Sequence, residues 1–202
     1  TVPAGGQLLQ IGCVLTMAGQ LSFDEIEVTL ERPKARRFLV DGGFEIPPGS
    51  RPDAWQTVIA ARQTQSGPTT ASRWELDRET TFEGPTSLKL AGDGLTSQWL
   101  EVHSMPVTVA PGQRVSLTGQ MAARGIRLEP RQHRHANLTL TFINERGIDV
   151  QTVESAVLEG SRGWEPVTLE GVAPLEAVRM RVGCLLTMSG ELWFDDLHLT
   201  RK

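Results

Sequence analysis

Between residues 38 and 199, apolar and polar residues alternate in short runs, and that period of two decides the secondary structure. In residues 136–142, Leu138, Leu140 and Phe142 fall on one side of an extended chain, and the polar set falls on the other. Residues 115–118 and 178–182 repeat the pattern. Turn residues separate the runs: Pro47-Pro48-Gly49, Gly92-Asp93-Gly94, Pro111-Gly112, Asn144-Glu145-Arg146-Gly147 and Ser189-Gly190. About ten short strands fit between these signals, and no segment of comparable length to a globular helix keeps a helical stripe. The chain is therefore expected to be all-β, an antiparallel sandwich or barrel.

A repeat sets the domain organisation. GCVLTMAGQLSFD at 12–24 returns as GCLLTMSGELWFD at 183–195, an offset of 171 residues. Solenoid units repeat every ~20–50 residues, so this period is a whole domain. Residues 1–31 then read as the C-terminal strands of a preceding copy, 32–37 as a charged linker containing Pro33, and 38–202 as a complete domain. The chain reads as a piece of a larger modular protein. An orphan strand pair is marginal in water, so residues 1–31 are expected to pair with a sheet edge of the complete domain or of a neighbouring molecule.

The net charge of −4 lacks the basic footprint of a nucleic-acid partner. No apolar run approaches the roughly 20 residues of a membrane span, so no membrane insertion is expected. Cys13 and Cys184 hold equivalent places in the two copies and read as small buried residues on strands rather than as a disulfide.

Several pieces carry a resemblance. Leu39-Val40-Asp41-Gly42-Gly43-Phe44-Glu45, followed by Trp55, resembles the first strand of galactose-binding-like jelly rolls, most of all the carbohydrate-binding modules of bacterial glycanases. Gly84-Pro85-Thr86-Ser87-Leu88-Lys89-Leu90, residues 109–119, Trp164-Glu165-Pro166-Val167 and residues 192–197 are similar to later strands of that family, in the same order. Val115 stands where the family usually has an aromatic residue. The resemblance implies a β-jelly roll over 38–202 and a non-catalytic module that binds polysaccharide or glycoconjugate beside other domains of its parent protein. It also implies an extracellular, periplasmic or cell-surface setting. Finally, it implies a structural calcium near Glu45 and Asp195, with backbone carbonyls completing the shell.

Asp195 is an acid that shares a strand face with Leu197 and Leu199, so it needs either backbone N–H partners or that cation. Adjacent Asp195 and Asp196 point to opposite faces of a strand and cannot flank one glycosidic bond. No nucleophile elbow, zinc-protease helix, P-loop or dinucleotide motif is present, so no enzyme is expected. For ligand contact, Trp99 shares a strand face with Glu101 and His103, opposite Leu100 and Val102, and reads as a stacking platform. Gln120 and Thr141 are candidate hydrogen-bonding partners.

Trp55 and Trp164 read as core residues. Trp74 is open between core and surface, and so is Trp193, which aligns with Ser22 of the first copy. His133 and His135 read as a solvated basic loop, and the sequon at Asn137 falls inside an expected strand. Tyrosine is absent and aromatic residues make up only 5 %, which favours a second reading: a structural or protein-interaction spacer with no sugar ligand.

Overall fold

The computed structural model describes residues 42–45, 55–60, 73–92, 99–128 and 133–201. The chain divides into two units, Thr1–Lys34 and Ala35–Lys202, and every described residue lies in the second. The expectations for residues 1–31, the linker and Cys13 fall outside the described residues.

The described part contains no helix. Its strands are β1 (Trp55–Ala60), β2 (Arg73–Asp77), β3 (Ser87–Gly92), β4 (Trp99–Ser104), β5 (Val107–Thr108), β6 (Arg114–Arg127), β7 (Ala136–Asn144), β8 (Asp149–Glu154), β9 (Gly160–Val172), β10 (Ala177–Leu186) and β11 (Ser189–Arg201). They form two antiparallel sheets, the β-sandwich of a jelly roll. The first runs β1-β4-β10-β7-β8, with β5 also paired to β10, and the second runs β2-β3-β11-β6-β9.

Alternation accounts for the core. Leu138, Leu140 and Phe142 of β7 and Met180 and Val182 of β10 meet Leu88, Leu90, Leu117, Leu192 and Phe194 of the second sheet. Each such side chain, fully withdrawn from water, stabilises by about 1.5–3 kcal/mol. Cys184 lies among them as expected, and burial together with the charge of Glu101 pushes its thiol well up from the ordinary value.

Local chemistry sets the turns. Between β7 and β8, the Asn144 side-chain oxygen accepts from the N–H groups of Arg146 and Ile148 at 3.0 Å each, and Gly147 supplies a φ of 78°. Pro166 cannot donate to a sheet ladder, and it is tolerated because β9 is an edge strand.

In β11 the sequence pattern misleads. The pairing with β6 shifts register between Asp195 and His198, and Asp196 takes a φ of 50°. This bulge inserts a residue and reverses the alternation. Leu192 and Phe194 face the core before it, and Leu197 and Leu199 after it. Asp195 therefore does not share the face of Leu197 and Leu199. It pairs across from Gln120 on the outer side of the second sheet, beneath the segment that joins β2 to β3.

Candidate functional site

The outer face of the first sheet is the candidate site. Leu100 and Val102 point into the core, so Trp99, Glu101 and His103 of β4 point outward. Trp99 stays partly exposed. Its indole N–H donates to Glu101 Oε2 at 3.1 Å, and its ring lies 5.2 Å from that of His135 and 6.3 Å from that of His133. A long carboxylate thus fixes the angle of the one tryptophan that the described residues place on this face.

The middle of the face is bare. Gly183 of β10 pairs with His103 on one side and Thr139 on the other. A Cβ there would collide with Thr139 Oγ1 and lie 2.6 Å from Glu101 Oε1, so glycine lets both side chains fold over the strand.

Polar groups lie here in two layers. The lower layer is Asn137, Thr139, Thr141 and His103, all on the outer side yet buried, His103 at 8 % exposure and Thr141 at 3 %. The upper layer is more open. Glu154 Oε2 interacts with His135 Nδ1 at 3.2 Å and accepts from Asn137 Nδ2 at 3.0 Å. The Thr141 and Thr152 hydroxyls meet at 3.1 Å, and Asp149 holds Arg181 by two bonds of 3.0 and 2.7 Å. Two buried polar atoms on this face have no partner: Asn137 Oδ1, an acceptor, and Arg181 Nε, a donor. Such orphans are uncommon in folded proteins and mark places where a bound group gains hydrogen bonds already stripped of water.

Four of the five ligand candidates read from the sequence come together here: Trp99, Glu101, His103 and Thr141. Two of them, His103 and Thr141, are buried, and Thr141 meets the more open Thr152 hydroxyl. The fifth, Gln120, is on β6 of the other sheet and does not join them. Sequence reasoning passed over Asn137, Thr139, Glu154 and Arg181. The polar half of the β7 alternation was the available signal for the first two. His135 contacts Glu154 and Trp99, so it is not merely a solvated loop residue.

The other tryptophans do not reach this face. Trp55 packs on Phe44 with ring centroids 4.9 Å apart, and Trp74 packs against the core. Trp164, expected in the core, is instead half-buried outside it and meets the exposed Phe82 edge to face at 5.9 Å. Trp193, on the outer side of the second sheet, is 2 % exposed.

Asp195, fully buried, has backbone partners. Its Oδ2 accepts from the N–H groups of Phe82 and Glu83 at 2.9 and 3.2 Å, and its Oδ1 from Asp196 at 2.7 Å. Burial outweighs these bonds and, with the neighbouring Asp196 charge, holds the carboxyl above its ordinary value. Glu45 reaches the same turn: its carboxylate covers Gly84, where any Cβ would collide with it. Among the described residues no three His, Cys, Asp or Glu side chains gather as a metal centre. A cation here would therefore combine these two carboxylates with backbone carbonyls, an all-oxygen set that suits calcium in kind.

No protein-family profile matches the chain, and no curated protein sequence matches it. Solved structures do. The enzymatically active domain of bacteriophage CBA120 tailspike protein 4 superposes with a TM-score of 0.57 at 12 % identity, over 80 % of this chain and 20 % of the tailspike. The family 22 carbohydrate-binding module with its glycanase module from Clostridium thermocellum xylanase 10B gives 0.52 at 13 %, over 81 % of this chain and 28 % of that one. The family 22 xylan-binding domain of Paenibacillus barcinonensis Xyn10C gives 0.51 at 14 %, over 84 % of this chain and 97 % of that domain. The chain thus spans only a fifth to about a quarter of the first two, and at such identities the likeness is one of fold.

Proposed function

We propose that this protein is a non-catalytic module that holds a polysaccharide or glycoconjugate on the outer face of its first sheet. The observation that carries the reading is Trp99, partly open and held at a set angle by Glu101, above a floor of desolvated polar groups. A pyranose stacks its C–H face on the indole, while Glu101, Glu154 and Thr152 take its hydroxyls. The fold likeness to a module whose name records xylan binding supports this reading. Single-site affinity is modest, and tandem copies in a larger parent protein raise it by avidity. The resemblance to such modules supports an extracellular, periplasmic or cell-surface setting. Affinity electrophoresis against soluble polysaccharides tests the reading. A chain that binds none of them is the structural spacer instead.

The turn at 82–84 serves stability. We propose a structural calcium held there by Glu45, Asp195 and backbone carbonyls, with no part in ligand contact. Excess EDTA is expected to lower the melting temperature by several degrees, and added calcium to restore it. A melting temperature indifferent to both assigns the compensation of Asp195 to its three N–H partners alone.

A further inference from the structure

On the opposite side of the sandwich, the outer face of the second sheet carries a cavity of about 380 Å³ walled by Glu75, Asp77, Thr80, Lys89 and Arg124, with Trp193 as its floor. That size falls within the range of roughly 300–1,000 Å³ typical of small-molecule sites. We propose that this cavity is a second ligand site, suited to a single neutral sugar ring.

Trp193 is not demanded by the fold. At an offset of 171 residues, Leu21, Phe23 and Asp24 repeat Leu192, Phe194 and Asp195, while Ser22 stands in place of Trp193. The residues flanking it are kept, and the outward residue differs between copies. The indole is also held in place, because its N–H donates to Asp77 Oδ2 at 2.6 Å.

Of the two cations over the ring, Arg124 is the removable one. The Lys89 ammonium and the Arg124 guanidinium lie 5.2 and 5.0 Å from its centroid. Arg124 is mostly exposed and is tied to Glu191 by a single contact of 3.2 Å. A cation and the C–H face of a pyranose seek the same electron-rich π surface, so a sugar ring can displace Arg124 and take its place. Glu75, 41 % exposed, then stands at the rim to bond hydroxyls, while Lys89 stays in place, paired to Glu191 at 2.6 Å.

Charge selects the ligand class. The wall carries three carboxylates, Glu75, Asp77 and Glu79, and three cations, Arg78, Lys89 and Arg124. Neither an anionic nor a cationic ligand gains from that balance, and a neutral polyhydroxy ring satisfies both kinds of group.

Nitrogen–proton NMR of the whole 202-residue chain resolves the indole N–H signals, with Trp193→Phe assigning that of Trp193. Titration with methyl β-xyloside and methyl β-galactoside is expected to move the Trp193 signal saturably at millimolar sugar. Arg124→Ala, an exposed change that leaves the core untouched, is expected to tighten this response roughly two- to fivefold by uncovering the ring. A Trp193 signal that stays fixed in both proteins up to tens of millimolar overturns the proposal. The two sites lie on opposite sheets, so each has its own reporter. Movement of Trp99 alone leaves the first-sheet reading standing and removes this one; movement of neither indole removes this one, and retardation by polysaccharide decides the first-sheet reading separately.

Discussion

Asp195→Ala is expected to destabilise the domain by about 3 kcal/mol, measured by urea denaturation in excess EDTA. The carboxylate is wholly buried, and it is the acceptor for three backbone N–H groups, two of them in the segment that joins β2 to β3. Alanine leaves those three part-buried donors without an acceptor. Each stranded donor costs on the order of 1 kcal/mol or more. Asp195→Asn keeps one oxygen and should recover part of the loss. A loss below about 1 kcal/mol for the alanine variant would show that the segment lifts away and finds water instead.

Gly190→Ala is expected to cost at least as much, roughly 3 kcal/mol or more, for a different reason. Gly190 has a φ of 113°, which an L side chain rarely adopts. An added Cβ would also sit 2.6 Å from the Gly125 carbonyl oxygen and 2.7 Å from its carbon. Those neighbours are backbone, so relief requires β11 to move against β6. Gly119→Ala is the control. Its Cβ would collide first with Leu197 Cδ2, a side-chain tip that can rotate, so the cost should be smaller, about 1–2 kcal/mol. Equal losses at the two positions would remove the distinction between a rigid and a yielding neighbour.

These two residues also show how far the sequence could be read. Gly190 follows Ser189 in a legible turn signal, and the alternation of Leu138, Leu140 and Phe142 fixed which side of β7 meets the core. Such readings need only local sterics and a period of two. Asp195 was legible as a buried acid needing partners. Alternation assigns it the wrong face because a bulge at Asp196 inserts one residue, of which a period of two carries no mark.

The same limit acted at the site. Periodicity tells which side of a strand a residue takes but not which sheet the strand joins, so Gln120 was grouped with Trp99 although β6 lies in the other sheet. It is equally silent about depth. Thr141 and His103 face outward as read, but both are buried, Thr141 between Arg181 and Thr152, which arrive from other parts of the chain. The fate of Trp193 depends on Asp77, Lys89 and Arg124, each far away in sequence, and no local pattern announces that meeting.

Glycan binding on the first sheet is tested most directly by affinity electrophoresis of the wild-type chain and Trp99→Ala against xylan, galactan and related soluble polysaccharides. The substitution removes a partly exposed ring and leaves the buried core intact, so the variant should melt close to the wild type. The expected result is retardation of the wild type by at least one polysaccharide, lost or reduced about five- to thirtyfold in Trp99→Ala, as stacking worth ~1–2 kcal/mol requires. Retardation that survives Trp99→Ala undiminished, or a wild-type chain that no polysaccharide slows, would contradict it.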